Sequence, residues 1–107
     1  MAPTRSVQDT LKARAERDPA FRDALLTEAV DPLLAGDLDT GKAILRDDID
    51  ATIGFERLAE EAGTSSKSLM HMLGPTGNPT ASHLFTVLHI VQKAAGVHLV
   101  VTAASSG

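Results

Sequence analysis

The chain has 107 residues, the length of one domain, and 43% of them are hydrophobic, as in an ordinary globular protein. It contains no Cys, Trp or Tyr, which excludes disulfides, thiolate zinc sites and cysteine nucleophiles. Its three aromatics, Phe21, Phe55 and Phe85, leave an aliphatic core and little to stack on single-stranded bases. The formal net charge of −4 runs against nucleic-acid binding, but it is unevenly placed: residues 1–53 hold 7 Lys+Arg against 11 Asp+Glu, residues 54–107 hold 3 of each, and no carboxylate side chain follows Glu61.

No apolar run approaches the roughly 18 residues of a membrane span. The leading MAPTRSVQDTLKARAERD is charged and lacks the apolar core of a signal peptide, so no membrane partner and a cytoplasmic location are expected. Residues 1–5 read as a tail, and Ser6 to Arg17 as a helix with Val7, Leu11 and Ala15 on one side. Asp18-Pro19 is a helix start, with Asp as N-cap and Pro in the first helical position. Phe21, Leu25, Ala29 and Leu33 form the stripe of that helix; Pro32 is expected to kink or end it near its last turn, and Gly36 to close it. Asp37 caps the next helix, whose face carries Leu38, Gly41, Leu45 and Ile49.

Residues 55–74, FERLAEEAGTSSKSLMHMLG, read as two short helices joined by one tight turn. Phe55, Leu58, Ala59 and Ala62 recur at i, i+3, i+4 and i+7. Gly63 follows where a residue of positive φ ends a helix, and Thr64 or Ser65 caps the next one. Leu69, Met72 and Leu73 give the second helix its buried side, leaving Ser65, Ser66, Lys67, Met70 and His71 facing out. Two helices this short need a third behind them, which is the helix-turn-helix arrangement whose second helix enters the major groove of DNA. Residues 74–79, GPTGNP, are a loop by composition. Thr80 then caps a last helix with Leu84, Val87, Leu88 and Val91 on one face, ended by Gly96. Residues 97–102, VHLVVT, are β-branched and read as one short strand. A lone strand has unpaired edges, and the same strand of a second copy is its nearest partner, which suggests a two-fold dimer.

The predicted fold is therefore mainly α: a helix-turn-helix bundle of about five helices with one short C-terminal β-strand. Its parts are a tail and the start of the first helix (1–20), acidic leading helices (21–53), the helix-turn-helix core (54–96) and the C-terminal strand and tail (97–107).

The chain from about Ala24 to Thr102, and chiefly residues 54–102, resembles the addiction-module antidote proteins, small bacterial transcriptional regulators with a helix-turn-helix domain of the phage repressor (Cro) type. In that pattern acidic leading helices precede a helix-turn-helix, a GNP loop, a final helix and a short strand. The resemblance implies a repressor-like domain, a homodimer on a palindromic operator in double-stranded DNA, and a toxin protein as a further partner. It implies that Leu58, Ala59, Gly63, Leu69 and Met72 are structural positions of the motif. Ser65, Ser66, Lys67, Met70 and His71 fall at the positions that meet base edges.

The chemistry of these side chains agrees with that reading. Lys67 can donate to guanine O6 and N7 or to a phosphate, and Ser65 and Ser66 to phosphate or base. Met70 can pack on a thymine methyl, and a protonated His71 adds a phosphate contact. The bland alternative for all five is a solvated helix face. Asn78 and the loop amides can meet a phosphate, or the loop can be a plain connector. Gly36 to Ala43 nearly matches a phosphate-cradling G-x-x-x-x-G-K-[ST] loop. However, Ala43 lacks the magnesium-binding hydroxyl, no strand precedes Gly36, and Asp37 and Asp39 repel phosphate, so a C-cap followed by an N-cap is expected.

His71, His83, His89 and His98 form no metal-binding spacing, and no nucleophile, base and orienter recur together, so no cofactor, metal or enzymatic activity is expected. The function expected is a sequence-specific DNA-binding regulator. The alternative is a protein-interaction module that has kept the fold without strong DNA binding. An exposed, carboxylate-free face holding Ser65, Lys67, His71 and Lys93 would favour the first, and Asp47, Asp48 and Asp50 on that face the second.

Overall fold

Four side chains cut the chain into helices by satisfying amides that a helix start leaves without partners. Asp18 accepts from the Phe21 amide at 3.3 Å, Asp37 from the Thr40 amide at 3.2 Å, Ser65 from the Ser68 amide at 3.1 Å and Thr80 from the His83 amide at 3.1 Å. A computed structural model describes residues 3–105, with side chains from Thr10 onward. The described helices are α1 (Pro3–Arg17), α2 (Pro19–Leu34), α3 (Leu38–Ala51), α4 (Phe55–Ala62), α5 (Ser66–Met72) and α6 (Ala81–Ala95). Pro32 lies in the last turn of α2, which stops two residues later.

The helices pack as a bundle in two linked groups. α3 lies against α2 and α1, while α4 lies against α5 and α6; α2 also touches α6 and closes the two groups on each other. Leu26 and Ala29 of α2, Leu45 and Ile49 of α3, Leu58 of α4, Leu69 of α5 and Val87 and Val91 of α6 share one buried cluster. Gly41 lets α2 and α3 approach: a Cβ there would fall on the Leu33 side chain. None of the described helices is long and apolar enough to cross a membrane.

Several expectations need correction. There are six described helices rather than about five. Residues 3–5 belong to α1 rather than to a tail, and the Val7 side chain lies outside the described residues. In α2 the deepest residues are Leu26 and Ala29, with Phe21, Leu25 and Leu33 only half-buried, because the helix is squeezed between α3 and α6 and buries a wider arc than one stripe. Met72 is half-buried at the edge of the core, and Ser66, expected to face out, is half-buried as well.

The C-terminal strand is absent: no strand occurs among the described residues. The Val97 amide donates to the Gln92 carbonyl at 2.9 Å as part of the α6 cap, and the Leu99 amide to Gln92 Oε1 at 2.8 Å. Val97 and Leu99 pack on the core while Val100 and Val101 point outward. A strand needs a second strand to form its ladder, and the described chain supplies none.

Candidate functional site

α4 and α5 are joined by a three-residue turn built on Gly63. Its φ of 72° ends α4, its successor Thr64 donates its amide back to the Ala59 carbonyl at 3.1 Å, and Ser65 starts α5. Buried Leu58, Ala59 and Leu69 hold the two helices together. α5 is then presented with Ser65, Lys67, Ser68, Met70 and His71 exposed.

The far end of α5 is held by a clamp that sequence reasoning did not find. Lys42 of α3 is only 3% exposed, and its ammonium donates to the carbonyls of Gly74 at 2.9 Å and Gly77 at 2.6 Å. One helical turn on, Arg46 Nη1 donates to the Leu73 carbonyl at 2.9 Å. These cations meet the Leu73 carbonyl at the end of α5 and the Gly74 and Gly77 carbonyls of the loop that follows, Gly74 also accepting from the Gly77 amide, beside the helix end that favours positive charge. Gly77 completes the fold-back, since a Cβ there would fall on the carbonyl oxygens of His71 and Met72. The loop of residues 74–79 is therefore anchored, which excludes the near P-loop match: its lysine is engaged with backbone and sits on a helix face, and Asp37 and Thr40 form an ordinary helix cap. The signal that was available is the one-turn spacing of Lys42 and Arg46 on a helix, with Asp39 one turn before Lys42.

Between α5, the end of the loop and the first turn of α6 runs an open groove of about 470 Å³, lined by Lys67, Ser68, His71, Met72, Asn78, Pro79, Thr80 and His83. No carboxylate lines it. Of the site residues read from the sequence, Lys67, His71 and Asn78 come together there. Met70 is exposed on α5 outside the lining. Ser65 is committed to capping: it accepts the Ser68 amide and donates its hydroxyl to Ser68 Oγ at 2.9 Å. The lining also includes Ser68, Thr80 and His83, which sequence reasoning left out; the fold-back at Gly77 brings the start of α6 beside α5, and no local pattern announces it.

Lys93 is elsewhere. It lines a separate cleft with Glu16, Arg22 and Arg57, where Arg22 donates to the carbonyls of Ala15 and Ala95 and so caps the ends of α1 and α6. The acids of α3 are also outside the groove. Asp47 and Asp50 are exposed on α3, and Asp39 lines another groove beside Lys42, Arg46 and Pro75. Asp48 is 1% exposed with neither carboxylate oxygen hydrogen-bonded, and burial pushes its pKa up to about 7. Among the described residues no group of three or more His, Cys, Asp or Glu could hold a metal ion.

A search of protein-family models, curated proteins and solved structures finds no match to this chain.

Proposed function

We propose that the protein is a sequence-specific DNA-binding transcriptional regulator, an antitoxin-like autorepressor of the phage-repressor helix-turn-helix type, acting as a homodimer on a palindromic operator. The observation that carries this is the carboxylate-free groove along α5, where Lys67, Ser68, His71, Asn78, Thr80 and His83 offer only donors or neutral polar groups to an incoming anion. The reading of α5 as a recognition helix is supported by its being short, capped, exposed along one side and braced by α4 and the Lys42–Arg46 clamp. Asp39, Asp47 and Asp50 on α3 and Glu28 and Asp31 on α2 are exposed and suit a basic protein, the toxin of this reading. The protein has no catalytic role in this proposal.

One observation favours the second reading, a protein-interaction module that no longer binds DNA strongly. Lys42 and Arg46 spend their charge on backbone carbonyls, which leaves Lys67 as the one permanently charged side chain in the groove. Counterion release from so few cations gives weak binding per protomer. Fluorescence anisotropy of the full chain against its own upstream promoter and a scrambled duplex, across a salt series, separates the two. The expected result is saturable binding that prefers the promoter, weakened by about 1–3 kcal/mol in Lys67→Ala. A loss confined to the promoter places Lys67 on a guanine edge, and a uniform loss with a salt slope shallower by about 1 places it on a phosphate. Binding to neither duplex at low salt would sink the regulator and leave the interaction module.

A further inference from the structure

We propose that the groove is a proton-linked phosphate clamp, in which His71 and His83 take up protons as DNA phosphates enter, so that DNA affinity falls as pH rises from 6 to 8. This deepens the DNA-binding reading and rests on it. The two imidazoles come from different helices, α5 and α6, yet line one groove. Imidazole is the side chain that ordinarily changes charge between pH 5 and 8. Among the described residues that line the groove none supplies a counter-charge to either, and the only other ionisable group there is Lys67.

The neighbouring charges are occupied or lie outside. On α3, Lys42 and Arg46 are bonded to carbonyls and share a separate groove with Asp39. On α4, Arg57 pairs with Glu61 at 3.4 Å, and neither they nor Glu56 and Glu60 line the groove. On α6, His89 and Lys93 lie further along the helix and outside the lining. A protonated imidazole pair in this groove therefore meets only Lys67, a like charge, until an anion arrives from outside. Ser68, Thr80 and Asn78 add neutral donors around it, the set that a phosphodiester accepts from.

Linkage fixes the sign. A phosphate beside an imidazole raises its pKa in the complex, so its contribution to affinity is present below the free pKa and is lost as pH climbs through the bound one. With two imidazoles in the groove the two contributions multiply, and both are lost across the pH range in which imidazole changes charge.

The test measures anisotropy with the promoter duplex and a scrambled duplex at pH 6, 7 and 8 and fixed ionic strength, for the natural chain and for the His71→Gln/His83→Gln variant. Both positions are exposed, and circular dichroism checks that the variant keeps its helices. The expected result is an affinity that drops at least about tenfold from pH 6 to 8 on both duplexes, and a variant that binds at every pH about as the natural chain does at pH 8. Histidine NMR titrations with and without duplex should show both imidazoles holding their protons to higher pH in the complex. Saturable promoter binding that does not change with pH, or the same pH dependence in the variant, overturns the clamp and leaves the DNA reading standing. Binding to neither duplex even at pH 6 removes both.

Discussion

At the scale of single residues, the chain carries one conflict and one compensation on the same helix. Asp48 is buried with no hydrogen-bond partner and a pKa raised to about 7 by desolvation. A carboxyl whose folded pKa exceeds its unfolded value, about 3.9, binds more protons in the fold, so stability falls as pH rises between those values and levels off above about 7. Each pKa unit is worth about 1.4 kcal/mol, so Asp48→Asn, which keeps the shape and removes the charge, is expected to stabilise the protein by up to about 4 kcal/mol at pH 8 and by under about 1 kcal/mol at pH 4. Urea unfolding of both proteins at both pH values checks this; equal gains would mean that Asp48 does not ionise at a cost in the fold. Lys42 is the compensated case. It is as buried as Asp48, but its ammonium meets two carbonyls and lies 3.7 Å from Asp39 Oδ1. Lys42→Met keeps the packed stem and strands the Gly77 carbonyl, while the Gly74 carbonyl keeps only the Gly77 amide. It should destabilise by about 1–3 kcal/mol, and weaken promoter binding while leaving the salt slope unchanged, because Lys42 touches no phosphate. A slope shallower by about 1 would contradict the clamp and put Lys42 on the DNA.

Elements were legible in the sequence where one local rule decides them. Asp18, Asp37, Ser65 and Thr80 cap their helices because a short polar side chain can reach an amide three residues on. Gly63 and Gly96 end α4 and α6 because each adopts a positive φ. Of the α4 stripe, Phe55, Leu58 and Ala59 are buried as their spacing requires, while Ala62 at its end is half-buried. What stayed hidden depends on distant partners. The loop of residues 74–79 reads as a connector until Lys42, more than thirty residues earlier, is seen to hold it. The groove could be only half read: Lys67 and His71 are visible as the outer face of α5, but His83 joins them through a fold-back at Gly77 that no periodicity encodes. The predicted strand failed for the opposite reason. VHLVVT has the composition of a strand, but a ladder is a property of two segments, and the described chain has only one.

At the scale of the molecule, that segment is where the proposed dimer would form. Val100 is 76% and Val101 70% exposed, and with Leu34 of α2, 65% exposed, they line a shallow groove together with Thr27, Val30, Asp31, Leu99 and Thr102. Of the amides from Val97 to Thr102, those of Val97 and Leu99 alone have partners among the described residues. In the proposed dimer this segment would pair with the same segment of a second copy and cover Val100 and Val101 of both protomers. Full burial of a valine contributes about 1.5–3 kcal/mol. A dimer is also what the proposed function requires, because Lys67 is the only permanent cation in each groove and two linked half-sites multiply a weak contact. Val100→Asp combined with Val101→Asp places four like charges at the symmetric edge while leaving the buried core untouched. In sedimentation experiments the natural chain is expected to run as a dimer and the double variant as a monomer with the same helix content. The variant should lose at least about tenfold in promoter affinity. A natural chain that sediments as a monomer yet binds its promoter selectively would break the link between the edge and the operator, and α5 would then have to read DNA alone.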